Sequence, residues 1–249
     1  MELSGAVCLV TGASSGIGRA SALALATRGA VVAATGRSEE VLREIIGTAG
    51  GSFHRCDLLN DEERTALVRH VTARHGRVDV LVNCAGAGYA GAFPEMKADE
   101  IEILVRLNLT AAILLTREVL PAMLERRFGR IVNVASIVGY TGSPEEAVYS
   151  ATKSGLVGFS HSLAQELAGT GVGVALVAPG AVDTPFFERR GRRYARSFPR
   201  LIGSGEAAQA VVAAAGGRSE VFAPGWMRFP ARLSGAAPGL YRRIARRFF

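Results

Sequence analysis

The sequence predicts a single-domain α/β protein, in which a doubly wound parallel sheet of about seven strands carries helices on both faces. Short β-branched runs alternate along the chain with longer segments of helical periodicity. A chain of 249 residues is long enough for one such domain with a sizeable core. The glycines stand at the turns between these segments and show no repeat period, which excludes a solenoid or a collagen-like chain.

The first predicted strand leads into a glycine-rich turn. The run 6–10 is apolar, and residues 19–28 have helical character. Gly12, Gly16 and Gly18 lie between them in the spacing G-x-x-x-G-x-G, and glycine allows a tight turn and a close approach of ligand to backbone. The helix start that follows offers free N–H groups and a positive dipole end to a phosphate. The turn therefore indicates a phosphate site, although a strand-to-helix junction without a ligand can use the same residues.

The end of the second predicted strand bears on cofactor choice. This strand covers residues 30–35 and is followed by Gly36 and Arg37. In dinucleotide-binding folds an acid here bonds the ribose 2′-hydroxyl, whereas an arginine accommodates a 2′-phosphate. Gly36 leaves room and Arg37 supplies the charge, which favours NADP(H) over NAD(H). The alternative is a solvated arginine at the start of a helix that Ser38 caps and that reaches about Thr48.

The later segments continue the alternation. Asn108 lies amid apolar residues of a long, bent helix predicted at 97–127. A buried asparagine needs hydrogen-bond partners, so Asn108 either packs in the core or bends the helix and holds a water beside Lys153. Further strands are predicted at 52–56, 78–82, 130–135, 172–177 and 220–223, a loop at 137–144, and further helices at 60–75 and 145–168.

Three residues at the fifth strand and the helix after it suggest acid/base chemistry. Tyr149 and Lys153 are four residues apart, so they lie one above the other on one helix face. Ser136, at the strand end, can meet them across the loop. A free tyrosine has a pKa of about 10, and a nearby ammonium lowers that pKa by stabilising the phenolate. Lys153 would thus prepare Tyr149 for catalysis near neutral pH, although Y-x-x-x-K also occurs as a half-buried tyrosine beside a surface lysine.

With these segments in place, the chain resembles the short-chain dehydrogenase/reductase family over about residues 4–185. The resemblance implies a Rossmann-type fold that binds a nicotinamide dinucleotide. It rests on six motifs: T-G-A-S-S-G-I-G at 11–18, N-C-A-G at 83–86, Asn108, Ser136, Y-S-A-T-K at 149–153 and P-G-A-V-D-T at 179–184.

The resemblance also implies the role of each matching residue. Tyr149 would be the general acid/base, and Lys153 would lower the pKa of Tyr149 and hold the nicotinamide ribose. Ser136 would hydrogen-bond the reacting oxygen, and Asn108 would anchor a water that relays protons through Lys153. The predicted cofactor contacts are Gly12, Ser14, Ser15, Gly16, Ile17, Gly18, Arg37, Asp57, Leu58, Asn83, Ala85, Gly86, Tyr149, Lys153, Pro179, Gly180, Val182 and Thr184.

The chain departs from the family pattern in two places. Cys84 stands where the family commonly has a second asparagine, a change that the fold should tolerate. Many members end in a strand followed by D-G-G, which helps to build a tetramer, whereas here the strand at 220–223 leads into a Pro- and Arg-rich tail. We therefore expect a homodimer through the helices around Asn108 and after Tyr149, and leave a tetramer open.

The net charge of +7 is concentrated in two C-terminal segments. Residues 184–205 carry six arginines and one glutamate, residues 226–249 carry six arginines and no acid, and the rest of the chain is mildly acidic. This local distribution is unlike the broad basic face of a nucleic-acid-binding protein, so no nucleic-acid partner is predicted. We predict a catalytic domain at 1–225 and a basic tail at 226–249.

The first basic segment occupies the position of the family's substrate loop, at about 184–204, and interleaves its arginines with aromatic residues. Three interpretations are open: a mobile lid over an apolar substrate, a docking surface for an anionic carrier or substrate, or a solvated helix whose aromatics close the pocket. The aromatic residues are Phe186, Phe187, Tyr194 and Phe198.

The tail predicts a short basic amphipathic helix. Leu240, Ile244 and Phe248 recur at every fourth residue, and Trp226, Met227 and Phe229 could join them. Such a helix lies on an anionic membrane surface, or packs on its own domain or on a partner subunit. The arginines on its other side are Arg242, Arg243, Arg246 and Arg247.

The sequence does not predict a membrane-spanning, exported or metal-binding protein. No apolar run reaches the ~20 residues of a membrane span, and the N-terminus lacks a signal-peptide pattern. Cys8, Cys56 and Cys84 are odd in number without C-x-x-C spacing, which indicates reduced thiols in the cytoplasm. The four histidines have no metal-ligand spacing, so we predict no metal.

The sequence thus predicts an NADP(H)-dependent oxidoreductase that interconverts a ketone or aldehyde with its alcohol, on a hydrophobic substrate. One alternative is an epimerase or lyase on the same scaffold. Another is an NADP(H)-sensing binding protein without turnover, although such proteins usually lack the Tyr/Lys pair.

Overall fold

The computed structural model describes residues 1–196 and 198–245. Its centre is a seven-stranded parallel sheet in the order β3-β2-β1-β4-β5-β6-β9, which confirms the predicted fold class. The strands are β1 (Val7–Val10), β2 (Val31–Gly36), β3 (Ser52–Arg55), β4 (Val80–Asn83), β5 (Gly129–Val134), β6 (Val172–Pro179), β7 (Val182–Asp183), β8 (Ile202–Gly203) and β9 (Glu220–Ala223).

Helices cover both faces of this sheet, so its strands are apolar on both sides. Alternate residues of β1 face opposite layers: Cys8 and Val10 lie in one buried cluster, and Val7 and Leu9 in the other. The helices are α1 (Gly16–Ala26), α2 (Glu39–Ala49), α3 (Asp61–His75), α4 (Ala98–Val105), α5 (Ala111–Glu125), α6 (Val138–Thr141), α7 (Ala147–Glu166), α8 (Phe186–Arg189), α9 (Ser204–Ala215), α10 (Arg228–Ala236) and α11 (Pro238–Ala245).

The long helix predicted at 97–127 is divided. A π-helical turn at Arg106–Thr110 separates α4 from α5, and Pro121 lies inside α5. A π turn inserts a residue into the helical ladder and is frequent at functional sites. Asn108 sits in this turn and is 1% exposed.

Three short elements lie in segments that were predicted as loops. Helix α6 occupies part of the predicted loop at 137–144, before the helix that carries Tyr149. Strands β7 and β8 pair with each other in parallel, outside the main sheet, and join the two ends of the substrate loop. These elements have too few apolar residues to show a period in the sequence.

The tail joins the domain at its first helix. Met227 and Ala231 are buried, and α10 packs against α6. Helix α11 packs on α10, and its Leu240 and Ile244 stay exposed. Three predicted tail residues, Arg246, Arg247 and Phe248, lie outside the described residues. None of the helices formed by the described residues has the length and apolar character of a membrane span.

Candidate active site

A cavity of about 890 Å³ opens at the carboxyl end of the sheet, where ligands bind in doubly wound folds. The turns after β1, β4, β5 and β6 form its inner wall, and the substrate loop and the tail form its outer wall. Most of the predicted site residues line it: Gly12, Ser15, Gly16, Ile17, Gly18, Arg37, Ala85, Gly86, Ser136, Tyr149, Lys153, Pro179, Gly180, Val182 and Thr184. Ser14, Asp57, Leu58, Asn83 and Asn108 are not among its lining residues.

The glycine turn has the shape of a phosphate cradle. Gly12 has a φ of +67°, and a Cβ there would lie 2.8 Å from the Cα of Ala85. A Cβ at Gly18 would lie 2.2 Å from the carbonyl oxygen of Gly12, so the turn requires glycine at both positions. Ser15 precedes α1 and makes no capping hydrogen bond to it, which leaves the helix N–H groups to a phosphate. These residues fit the pyrophosphate of a dinucleotide.

Arg37 is exposed at the carboxyl end of β2, on the edge of the same cavity. A Cβ at Gly36 would lie 2.8 Å from Ser14 Oγ, so glycine allows the two turns to meet here. In the adjacent turn after β3, the cofactor contacts of Asp57 and Leu58 stay predictions. Asp57 accepts a hydrogen bond from the Leu59 backbone N–H at 3.0 Å, and Leu59, which sequence reasoning missed, lines the cavity.

The Asn83 side chain belongs to a buried polar network between strands. Its Nδ2 donates to Oδ1 of Asn133 on the neighbouring strand at 2.8 Å. The contact between β4 and the glycine turn comes instead from Thr11, whose Oγ1 accepts hydrogen bonds from the backbone N–H of Cys84 at 2.9 Å and of Ala85 at 3.1 Å. Thr11 and Asn133 were missed, and their only signal was a polar residue in or beside an apolar strand.

Ser136, Tyr149 and Lys153 meet at the centre of the cavity. The Ser136 hydroxyl is near enough to the Tyr149 phenol to lower its pKa, and it donates a hydrogen bond to the Pro179 carbonyl oxygen at 3.5 Å. Lys153 Nζ lies 5.8 Å from the centre of the Tyr149 ring and donates to the Val134 carbonyl oxygen at 3.0 Å. The strand end at β5 and one face of α7 therefore place a hydroxyl, a phenol and a buried ammonium around one point.

The pKa values correct one prediction. Burial, followed by the Glu146 carboxylate, raises the pKa of Tyr149, and the nearby Ser136 hydroxyl and the charge of Arg190 offset this only in part. Burial also lowers the pKa of Lys153 to about 8. The prediction that Lys153 brings the pKa of Tyr149 below its ordinary value is wrong for the chain's own residues, because burial disfavours the charged phenolate and is the largest influence. Tyr149 therefore holds its proton at neutral pH and can donate it.

Asn108 clamps the loop that follows β4. Its Oδ1 accepts a hydrogen bond from the Ala87 backbone N–H at 2.8 Å, and its Nδ2 donates to the Ala87 carbonyl oxygen at 2.9 Å and to Thr152 Oγ1 at 3.1 Å. Lys153 is close by, since a Cβ at Gly86 would lie 3.1 Å from Asn108 Oδ1 and 3.6 Å from Lys153 Nζ. The side chain thus acts as a packing asparagine, and its role in holding a water stays a prediction.

Two arginines of the substrate loop pair with consecutive glutamates just before α7. Arg190 pairs with Glu146, and Arg192 pairs with Glu145. The first pair is buried, with side chains 9% and 11% exposed, and the second is solvent-exposed. The pairs hold the loop over the site, so these two arginines are already engaged by the protein's own carboxylates.

The aromatic residues of the loop close the cavity around Tyr149. The ring of Phe186 lies 5.4 Å from that of Tyr149. Phe186 fills space that only a glycine leaves, because a Cβ at Gly88 would lie 2.4 Å from its Cζ. The structure thus matches the interpretation in which aromatic residues close the pocket.

Cys84 lies near Lys153 at the end of β4, an arrangement with no sequence signal beyond the departure from the family motif. Burial raises the pKa of Cys84 to about 12, with the Lys153 charge a smaller opposing influence. The thiol is therefore neutral at physiological pH. Cys8 and Cys56 are buried free thiols as well.

Comparisons with known proteins identify the family of this chain. A family model described as short chain dehydrogenase matches residues 6–195. A curated relative, the 3-oxoacyl-[acyl-carrier-protein] reductase FabG of Thermotoga maritima, is 40% identical over 194 residues, which cover 76% of this chain and 79% of the relative.

Solved structures are similar over most of the chain. An actinorhodin polyketide ketoreductase variant solved with NADPH has a TM-score of 0.79 and 36% identity, covering 87% of this chain and 94% of its own. A short chain dehydrogenase/reductase from Burkholderia phymatum, solved with NAD, has a TM-score of 0.87 and 25% identity, covering 96% of each chain. Because the family model matches more than half of its length, the chain belongs to the short-chain dehydrogenase/reductase family of oxidoreductases, which act on CH–OH and keto groups.

Proposed function

We propose that this protein is an NADP(H)-dependent reductase that converts a ketone or aldehyde of a hydrophobic substrate into the alcohol. The observation that carries the proposal is the meeting of Ser136, Tyr149 and Lys153 in the cavity that also contains the glycine cradle. A proton donor for oxygen and a dinucleotide site then share one space, as carbonyl reduction requires.

The chain's own residues supply the proton and the positioning. Tyr149, protonated because its pKa is raised, donates its phenolic proton to the carbonyl oxygen as that oxygen gains charge. Ser136 hydrogen-bonds the same oxygen and fixes its position. Lys153, with a pKa of about 8, is mostly cationic at neutral pH and favours the phenolate that remains. NADPH, when bound, supplies the hydride for the carbonyl carbon.

Arg37 supports the choice of NADP(H). It is an exposed cation at the strand end that faces the adenosine ribose in dinucleotide folds, and no acid precedes it on β2. Its guanidinium would bind a 2′-phosphate through charge-assisted hydrogen bonds. The similar polyketide ketoreductase was solved with NADPH, although the Burkholderia protein was solved with NAD.

The walls of the cavity favour an apolar substrate. Arginines and glutamates border the cavity, but aliphatic and aromatic side chains also form part of its lining. This apolar part would bind a hydrocarbon portion of the substrate. The side chains concerned include Ile103, Leu107, Val138, Phe186 and Phe187.

We also infer a homodimer in the cytoplasm. Val105 on α4 is 38% exposed, and a partner subunit on α4 and α7 would cover this side chain. Free thiols at all three cysteines suit a reducing compartment. Light scattering of the purified protein tests the dimer.

The proposed reaction is tested by incubating the protein with NADPH and a panel of hydrophobic ketones, aldehydes and 3-oxoacyl thioesters. The expected result is a loss of nicotinamide absorbance matched one to one by alcohol product. Substrate isomerised or cleaved without net use of NADPH would indicate an epimerase or lyase. Binding of NADPH without turnover of any compound would indicate a sensor.

A further inference from the structure

The mouth of the substrate cavity is formed by the tail and by the end of the substrate loop. Phe198, Trp226 and Ile244 line the cavity, yet they are 56%, 40% and 41% exposed. The rings of Phe198 and Trp226 stack at 5.4 Å. Tyr241, one helical turn before Ala245, lines the same opening. The cavity therefore opens onto solvent through an apolar rim.

The tail carries two further exposed apolar side chains. Phe229 is 58% exposed and Leu240 is 50% exposed, and neither lines the cavity. Leu240 and Ile244 lie one turn apart on α11, which packs on α10. Scattered exposed apolar residues are ordinary, but several that extend a cavity mouth mark an interaction surface.

The same helices carry a positive charge that the protein does not neutralise. No carboxylate among the described residues lies within 4.0 Å of a tail arginine, and the sequence from 226 onward has no acid. The substrate loop differs, since Arg190 and Arg192 have glutamate partners. The tail surface is defined here by its exposed residues Trp226, Arg228, Phe229, Arg232, Leu240, Arg242, Arg243 and Ile244.

The exposed apolar side chains and the unneutralised arginines of the tail surface together favour one kind of partner. A second copy of the chain, meeting the tail surface with its own, would bring like charges together. A nucleic acid would satisfy the arginines and leave Phe229 and Leu240 in water. An anionic bilayer satisfies both, because aromatic and aliphatic side chains enter the headgroup region while arginines pair with lipid phosphates.

We propose that the tail surface docks on an anionic lipid bilayer, and that the substrate is an amphiphilic ketone or alcohol that enters the cavity from that bilayer. Docking would place the apolar rim at the depth of the headgroups. A hydrophobic substrate then reaches Tyr149 without crossing water. The docking stands on the tail surface alone, whereas the nature of the substrate rests on the proposed carbonyl reduction.

Trp226 provides a direct test, because it is the only tryptophan of the chain and lies at the rim. The full chain is titrated with vesicles of phosphatidylcholine containing phosphatidylglycerol, and with vesicles of phosphatidylcholine alone. On the anionic vesicles we expect a shift of emission to shorter wavelength and quenching by brominated lipid, with at least tenfold weaker binding to neutral vesicles. Unchanged emission, with the protein left in the supernatant on sedimentation, would overturn the proposal.

Two variants with the same change in net charge distinguish binding through the tail surface from attraction due to the overall positive charge of the protein. Arg242→Glu combined with Arg243→Glu should weaken binding to anionic vesicles at least tenfold, since each arginine near the surface contributes. Arg69→Glu combined with Arg74→Glu reverses two exposed charges on α3 and should leave binding within twofold. Equal losses of vesicle binding in both variants would contradict docking through the tail. A change of oligomeric state in the tail variant, with no vesicle binding by the wild-type protein, would contradict it as well.

Activity distinguishes this proposal from the proposed reaction. Anionic vesicles should raise turnover of a long-chain ketone at least fivefold, leave a short water-soluble ketone unaffected, and lose the effect in the Arg242/Arg243 variant. Vesicle binding without any carbonyl turnover would refute the reaction and keep the docking. Turnover of both ketones without vesicle binding would refute the docking and keep the reaction.

Discussion

Arg190 of the substrate loop forms a buried ion pair with Glu146, three residues before Tyr149 on the approach to α7. The pair joins the loop that covers the cavity to the element that carries the proton donor. Its charges also act on the phenol, since Glu146 raises the pKa of Tyr149 and Arg190 lowers it. Burial has the largest effect on the pKa of Tyr149, and the two side chains that hold the loop in position also adjust it.

Glu146→Gln should loosen this loop. Removing one partner of a buried pair costs about 3 kcal/mol, which lowers Tm by roughly 6–12 °C in a chain of this size. Trypsin should also cleave faster within 184–204. Differential scanning calorimetry and timed proteolysis measure both effects. Glu145→Gln, which breaks the exposed pair with Arg192, is the control and should change Tm and cleavage far less, because exposed ion pairs contribute little to stability. Equal effects of the two changes would contradict a special role for the buried pair.

Gly88→Ala should displace Phe186 from the Tyr149 ring, because the new Cβ would lie 2.4 Å from Phe186 Cζ. Overpacking of this kind costs about 1–3 kcal/mol of folding stability. Because the displaced ring packs on Tyr149, the proton donor should also be misplaced, and we expect kcat/KM to fall roughly tenfold. Gly158→Ala on α7 is the matched control, since nothing lies within 4 Å of its Cβ. Steady-state kinetics of the two variants decide whether Phe186 shapes the site; an unaltered Gly88→Ala enzyme would show that it does not.

Carbonyl reduction should weaken at alkaline pH. Lys153 has a pKa of about 8, so it is cationic below that pH and neutral above it. Tyr149, whose pKa is raised, keeps its proton through this range. We therefore expect kcat/KM to be level from pH 6 to about 7.5 and then to fall up to tenfold per pH unit through a single limb near 8. A profile that stays level to pH 9.5 would show that the charge of Lys153 is not required.

Arg37→Asp should move the cofactor preference toward NADH. The change removes a charge-assisted contact with the 2′-phosphate and adds repulsion, so the NADPH/NADH ratio of kcat/KM should fall by about 10–100-fold. Arg28→Asp, an exposed charge before β2, should leave the ratio within twofold. If Arg37→Asp leaves the ratio unaltered, the 2′-phosphate is bound by other residues.

The regular elements of this fold could be predicted from the sequence because each strand is a run of apolar residues that helices cover on both faces. The last strand, Glu220–Ala223, falls where its pattern places it. The π turn around Asn108 could not be predicted, because a local change in backbone hydrogen bonding does not alter the spacing of apolar residues. The short helix α6 could not be predicted either, because four residues are too few to show a helical period. The placement of Tyr149 beside Lys153 followed from their spacing on one helix.

Contacts between segments far apart in the chain could not be predicted from the sequence pattern. The arginines of the substrate loop looked available for an anionic partner, yet Arg190 and Arg192 are taken by Glu146 and Glu145. The acidity of Tyr149 was misjudged for a similar reason: a sequence shows the nearby lysine but not the depth of burial that opposes it. Both the pairing of an arginine and the pKa of a tyrosine depend on which residues surround the side chain in the folded protein.

The central claim is that Tyr149 gives its proton to the substrate oxygen. Replacing it by phenylalanine removes one hydroxyl and keeps the ring against Phe186. Tyr149→Phe should therefore lower kcat at least about 100-fold, the usual contribution of a general acid, while the Kd for NADPH stays within about twofold. A variant that binds NADPH normally and retains a tenth or more of wild-type kcat would contradict the account.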